Sequence, residues 1–409
     1  MTIRMDEGAA ELLDTLHRAG YAAYVVGGCV RDSLLGLTPH DWDLCTSALP
    51  QQVMELFGAQ RCIPTGLQHG TVTVKQSGAL YEITTFRTEG TYTDGRHPDE
   101  VHFVPDVRED LARRDLTINA MAYNEKEGLV DPFGGQADLQ SGIVRAVGVP
   151  RQRFTEDALR ILRLYRFAAR FGFAIDPPTA QAAQELCAHL DCVSVERIEE
   201  ELSKLLAAPA PAAYLDEKIL KVIIPELSAP ALQAAKPVVD ACPAGTEDLP
   251  VRWAALLMSL GEDGTRKALK RLRCSNTCIE QTAVLVRETS AAPGQAPAAP
   301  DTAIRIRKLL GRYDLHTVQR LAALGAAMEP ERAADFAAQA ELAAQLDADG
   351  VCCRVSQLAV NGRDLMAAGI PAGPGLRRTL EALLDAVIRG QLLNERQCLL
   401  DAAGQISAS

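Results

Sequence analysis

Ala22-Ala23-Tyr24-Val25-Val26-Gly27-Gly28-Cys29-Val30-Arg31-Asp32 is the stretch that decides the fold of the N-terminal region. A β-type run, Ala22–Val26, stops at two glycines, and a helical stretch, Val30–Leu35, follows. Glycines between strand and helix let backbone N–H groups approach an anion, and the helix N-terminus adds a favourable dipole. Arg31, one turn into that helix, is placed to reach phosphate. A Gly-Gly turn alone is more often structural than functional. The third glycine of a dinucleotide fingerprint is absent, which argues against a Rossmann-type dehydrogenase.

Working outward, His40-Asp41-Trp42-Asp43-Leu44 comes next. With Asp41–Cys45 as a strand, Asp41 and Asp43 project from one face, ~7 Å apart along the chain. Two such carboxylates repel unless a cation sits between them, and hard oxygen ligands on a rigid strand suit Mg²⁺. An anion-binding turn upstream of this pair is what metal-assisted nucleotidyl transfer needs. Glu82, in the strand-like segment Tyr81–Arg87, is either a third carboxylate or a solvated strand residue. A helix at Glu7–Ala19 and a further strand at Gly70–Lys75 complete an irregular mixture of elements, the mark of an α+β domain.

Two arginine-rich stretches follow. In Arg113-Arg114-Asp115-Leu116-Thr117-Ile118-Asn119, the paired arginines precede an expected helix start and can clamp phosphate, while Asp115 and Asn119 share a helix face. In Glu156–Arg170, read as one helix, Arg160, Arg163, Arg166 and Arg170 fall within an arc of ~120°. Like charges on one face cost helix stability unless an anion or carboxylate offsets them. The other positions are mostly apolar, so the stripe is expected to line a cleft.

These motifs, with Asp131-Pro132-Phe133-Gly134-Gly135 and Glu196-Arg197-Ile198-Glu199-Glu200-Glu201-Leu202, occur in an order that resembles the class II nucleotidyltransferases. That family holds the bacterial CCA-adding enzymes and bacterial poly(A) polymerases. The motifs span about residues 20–205, and the segment from Val360-Asn361-Gly362-Arg363-Asp364 to Asn394 resembles the tail of Gram-positive-type CCA-adding enzymes. The resemblance implies an α+β, polymerase-β-like head at 1–145, followed by an all-α neck at 146–206, body at 207–300 and tRNA-binding tail at 301–409. It implies Mg²⁺ on Asp41 and Asp43 as the catalytic centre. Triphosphate and ribose contacts map to Gly28, Arg31 and Arg114, with Arg163 and Arg166 nearby, and base recognition to Asp157 and Arg160. The implied partners are tRNA, CTP and ATP, with no membrane; a homodimer is compatible with it.

Segment 85–104, which contains Gly95 and His97, resembles the flexible loop of complete CCA-adding enzymes, shortened in relatives that add only CC. The expected activity is therefore addition of C, C and A to tRNA. The alternatives are poly(A) polymerase, a CC-adding relative, and a non-catalytic RNA-binding protein on the same scaffold.

Composition agrees once it is resolved along the chain. A net charge of -11 over 409 residues argues at first against nucleic acid. Yet residues 151–180 hold six Lys+Arg against three Asp+Glu, and residues 251–300 hold seven against four. The second island includes Arg266-Lys267-Ala268-Leu269-Lys270-Arg271-Leu272-Arg273, suited to RNA phosphates. No 18-residue apolar run exists, and Met1–Glu11 resembles neither a signal nor a transit peptide. The 11 cysteines lack metal-ligand spacing, so reduced thiols and a cytoplasmic location are expected. Ser290–Pro300, rich in Ala and Pro, reads as a linker.

Overall fold

The computed structural model describes residues 2–90, 101–290 and 299–407. The middle of the 85–104 loop, including Gly95 and His97, and most of the Ser290–Pro300 linker lie outside the described residues. The chain divides into two compact units: Met1–Ala229 with Arg271–Arg273, and Pro230–Lys270 with Cys274–Ser409.

The first unit opens with helix α1, Glu7–Arg18, whose N-cap Asp6 accepts a hydrogen bond from the Ala9 N–H and whose Leu12, Leu13 and Leu16 are buried. Next come β1 (Ala23–Val26), α2 (Gly28–Leu34), β2 (Leu44–Thr46), α3 (Pro50–Phe57), β3 (Cys62–Gly66), β4 (Thr71–Gln76) and β5 (Ala79–Thr85). The stem of the loop forms a small antiparallel pair, β6 (Arg87–Glu89) with β7 (Val101–Phe103). Helix α4 (Val107–Ala112) leads to β8 (Ala122–Asn124), β9 (Gly128–Val130) and α5 (Gly135–Ser141).

Seven strands make one sheet in the order β3-β4-β5-β2-β1-β8-β9. Fully buried β1 lies near its centre, antiparallel to both β2 and β8, while β2 runs parallel to β5. The α+β head expected from the sequence is present, with boundaries shifted by a few residues. One shift matters: the strand begins at Leu44, so Asp41 and Asp43 lie in the extended run leading into β2 rather than on a strand face. Asp43 still touches the sheet, its carbonyl accepting from the Val26 N–H at 2.9 Å.

Past β10 (Ile143–Val144) the unit is helical: α6 (Pro150–Glu156), α7 (Leu159–Phe171), α8 (Pro177–Leu186) and α9 (Val195–Leu206). The exception is β11 (Ala174–Ile175), which pairs in parallel with β10. Glu156–Arg170 is therefore two helices, broken at Asp157, whose backbone is extended (φ -143°, ψ 105°). The Asp157 carboxylate accepts the Leu159 N–H at 3.0 Å and so caps the start of α7. In the same way Arg113 and Arg114 follow the end of α4 instead of opening a helix, a site where cations complement the helix dipole. The second unit is all helical in its described residues, with cores around Ile306, Leu310 and Val318 and around Leu365, Leu383 and Leu399.

Candidate active site

Gly27 sets the turn between β1 and α2. Its φ of +78° is a left-handed conformation that side chains rarely adopt. A Cβ there would lie 2.8 Å from Arg114 Nη1, so the glycine also makes room for that guanidinium. Gly27→Ala is expected to displace Arg114 and to cost about 1–2 kcal/mol in backbone strain. Thermal unfolding should show the loss. Gly28 begins α2, and Arg31 lies at the same turn but faces inward. The Arg31 guanidinium pairs with Asp32 at 2.8 Å, donates to Asn119 Oδ1 and stands 5.0 Å from the centre of the Phe167 ring. It is buried and engaged by protein partners.

Asp41 and Asp43 are exposed. Neither carboxylate makes a hydrogen bond or ion pair among the described residues. The parallel register pairs Leu44 with Ile83, so Asp43 and Glu82, the residues just before them, are neighbours. The Asp43 carboxyl is pushed above its ordinary value by desolvation first and by Glu82 and Asp41 next, with Arg114 opposing. Unpaired, mutually repelling oxygen donors of this kind fit a hard divalent cation. No ready-made group of three or more metal-holding side chains exists among the described residues. The set is a carboxylate pair that leaves room for water and substrate oxygens, as Mg²⁺ sites commonly do.

Each arginine of α7 meets a carboxylate. Arg160 reaches Glu156 at 2.7 Å, Arg163 reaches Asp115 at 2.7 Å, Arg166 reaches Glu201 at 2.7 Å and Arg170 reaches Asp32 at 3.3 Å. The like-charge cost foreseen for this stripe is thus offset from four places: the preceding turn, the 113–119 segment, α9 and α2. Burial opposes the charge on Asp115, but Arg163, Arg160 and Asn119 outweigh it and hold the carboxyl far below the usual range. Burial brings Arg166 down to about 10, against the pull of Glu201.

Asp115 and Asn119 do meet, at 3.2 Å, through a short 3₁₀ turn at Thr117–Asn119. Arg114 lies beside the Asp110 carboxylate at 3.5 Å, and its Nε is buried without a hydrogen-bond partner among the described residues. Asp157 and Arg160 do not share a helix face, because Asp157 precedes α7. They remain one turn apart, the Arg160 N–H donating to the Asp157 carbonyl at 3.0 Å. The Asp157 carboxylate also takes a hydrogen bond from Arg197 at 2.8 Å. Sequence reasoning assigned no role to Glu156, Arg197 or Glu201. The only signal was their place in the quoted Glu156-Asp157 and Glu196–Leu202 motifs.

A family model for the Poly A polymerase head domain matches residues 23–145. One for tRNA nucleotidyltransferase domain 2 matches residues 247–403, and one described as "Probable RNA and SrmB- binding site of polymerase A" matches residues 172–229. The CCA-adding enzyme of Limosilactobacillus fermentum is 38% identical over 420 residues, covering 98% of this chain and 97% of that protein. The chain belongs to the CCA-adding enzyme family.

The CCA-adding enzyme of Geobacillus stearothermophilus agrees, at 36% identity over 95% of this chain and 94% of that protein. Among solved structures, the Bacillus stearothermophilus CCA-adding enzyme in complex with CTP has a TM-score of 0.79 at 31% identity, covering 98% of both chains. The Thermotoga maritima CCA-adding enzyme complexed with tRNA_CCA shares the fold, with a TM-score of 0.70 at 21% identity over 98% of this chain and 96% of that one. The head of this CCA-adding enzyme family member is thus the seven-stranded sheet with its flanking helices, and α6 to α9 carry the arginine ladder behind it.

Proposed function

We propose that the chain adds C, C and A to the 3′ end of tRNA from CTP and ATP, without a nucleic-acid template. The observation that carries this reading is the α6–α7 junction, where the Asp157 carboxylate accepts the Leu159 N–H and the Arg160 backbone N–H donates to the Asp157 carbonyl, so that Asp157 and Arg160 leave a single turn. Cytosine and adenine each present an exocyclic amine beside a ring-nitrogen acceptor. A carboxylate accepts from the amine and a guanidinium donates to the ring nitrogen. Uracil and guanine reverse both groups, leaving charges without partners.

Asp41 and Asp43 would hold divalent ions, Mg²⁺ in our reading, whose chemistry when bound is to acidify the attacking 3′-hydroxyl and offset the charge of the leaving pyrophosphate. Glu82 stands as an adjoining carboxylate. Gly28 and Arg114 are assigned to the triphosphate and ribose, supported by the turn at the start of α2 and by the unpartnered Arg114 Nε. Arg31 is assigned with them as a buried cation behind the turn, and Arg163 and Arg166 as the adjoining positive rungs. We retain the four-part division into head, neck, body and tail at 145, 206 and 300. No described helix is long and apolar enough to cross a membrane, and we place the reaction in the cytoplasm.

The head model's description favours poly(A) polymerase as the second reading. Nearly end-to-end similarity to CCA-adding enzymes weighs toward CCA. Supplying CTP and ATP with tRNA lacking its 3′ end, and with an unrelated RNA, separates them. CTP incorporation confined to the tRNA is expected, whereas runs of A on either RNA would reject CCA addition.

In the second basic island, Arg266 is tied to Glu262 at 3.0 Å, Arg271 to Glu226 at 2.7 Å and Arg273 to Glu196. Lys267 and Lys270 are exposed. They are the better candidates for RNA phosphates. The double change Lys267→Gln with Lys270→Gln should weaken tRNA binding and flatten its log–log salt slope by about two. An unaltered slope would route the RNA elsewhere.

A further inference from the structure

Three arginines of α7 that meet carboxylates also crowd aromatic rings on the same helix. Phe167 is buried and lies one turn after Arg163. Three guanidinium carbons surround its ring: Arg166 at 4.0 Å from the centroid, Arg31 at 5.0 Å and Arg163 at 5.5 Å. Phe171, one turn further on, stacks with Phe167 at 6.2 Å, with 7° between the planes. Arg31 stands 5.2 Å from that second ring, and Arg170 stands 4.9 Å from it. The same four arginines are ion-paired to three carboxylates among the described residues, Asp32, Asp115 and Glu201. One positive charge is left over, and burial disfavours the charge of Arg31 and of Arg166. A ring face attracts a cation within about 6 Å of its centre, the more so away from water.

We propose that Phe167 is a positioning residue for triphosphate binding: its ring sets the plane of Arg166 and holds Arg31 and Arg163 together although the three repel. The proposal rests on the assignment of these arginines to the triphosphate and ribose. Arg166 carries the argument. Its Nε lies 2.7 Å from Glu201 Oε2, yet neither atom has a hydrogen-bond partner among the described residues. The ion pair attracts without orienting, because hydrogen-bond direction is lost. No other hydrogen bond among the described residues fixes this guanidinium. The ring 4.0 Å away is what remains to decide how it is turned. Its terminal nitrogens stay unspent and can donate to phosphate oxygens as a planar fork. A position that served the apolar core alone would accept leucine, whereas only an aromatic ring offers a face to a cation.

The test uses the full-length protein carrying phenylalanine with one, two or three ring fluorines at position 167, beside Phe167→Leu. Fluorine weakens the negative ring face stepwise while shape and burial barely change. KM and kcat for CTP are read on tRNA lacking its 3′ end, with competition by inorganic tripolyphosphate and a thermal unfolding curve for each variant. The KM for CTP and the inhibition constant of tripolyphosphate should rise together with each fluorine, to about tenfold at three, with a smaller change in kcat. Phe167→Leu should give at least that rise. Both constants staying within about twofold of the parent across the fluorinated series, whatever the unfolding temperature does, would overturn the proposal. Arg166→Gln serves as reference. If it weakens tripolyphosphate binding and the fluorines do not, only the positioning role fails. If Arg166→Gln leaves that binding intact, the triphosphate assignment fails with it.

Discussion

Asp43→Asn should lower kcat for CTP addition by about three orders of magnitude, ~4 kcal/mol at about 1.4 kcal/mol per decade, while the protein stays folded. The two halves of that expectation have separate causes. The carboxylate is exposed and unpaired among the described residues, so no folded-state contact is lost with its charge. Its pKa is raised through desolvation, Glu82 and Asp41, so the fold disfavours the charged form. A neutral isostere therefore relieves repulsion and should leave the unfolding temperature equal or slightly higher. Loss of activity without loss of stability is the pattern of a residue kept for a ligand. Steady-state kinetics with a parallel melting curve reads both. Activity within a few-fold of the parent would move the metal-binding role to other residues.

Asp157→Ala should reduce the preference for CTP over UTP by about two orders of magnitude, because uracil's carbonyl no longer faces a carboxylate. The same change removes the cap on the Leu159 N–H and the partner of Arg197. A stability cost of about 1 kcal/mol is expected alongside, the usual size for a lost N-cap. Asp157→Asn separates the effects. Its side-chain oxygen can keep the cap, while its amide can donate to the uracil carbonyl. Stability should return and UTP use should rise. Single-nucleotide addition with each triphosphate measures this, and an unchanged CTP/UTP ratio in both variants would remove Asp157 from base recognition.

What the sequence disclosed, and what it hid, follows from the range of the forces involved. The β1–Gly27–α2 turn was legible because hydrophobic alternation and glycine punctuation are local. So was the arginine stripe of α7, where a fixed angular period does the work. Asp41-x-Asp43 was read as strand because Leu44–Thr46 is one, but the pairing that would extend it is limited to a single bond from Val26 to Asp43. The break at Asp157 hid inside helix-favouring neighbours, although an aspartate two residues ahead of an apolar run is a recognisable capping signal. The inward turn of Arg31 toward Asn119 joins residues 88 positions apart. The contacts of Arg163 with Asp115 and of Arg197 with Asp157 span 48 and 40 positions. No periodicity reports such pairs. They arise only when the sheet brings the 113–119 segment against α2 and the helices behind it supply the carboxylates.

The net acidity of the chain takes on a different meaning in this light. The arginines of α7 are matched by acidic side chains inside the protein, so the sequence's first basic island is largely a neutralised framework. The lysines of the second, Lys267 and Lys270, are exposed, and our proposal assigns the RNA contact to them.

The most direct test of template-independent CCA addition supplies each of the four triphosphates separately, with Mg²⁺, to tRNA transcripts ending before the terminal CCA and after its CC. CTP alone should extend the first by two residues and stop, ATP alone should extend the second by one, and UTP and GTP should extend neither. Extension by UTP or GTP at rates comparable to CTP and ATP, or no extension by any triphosphate, would contradict it.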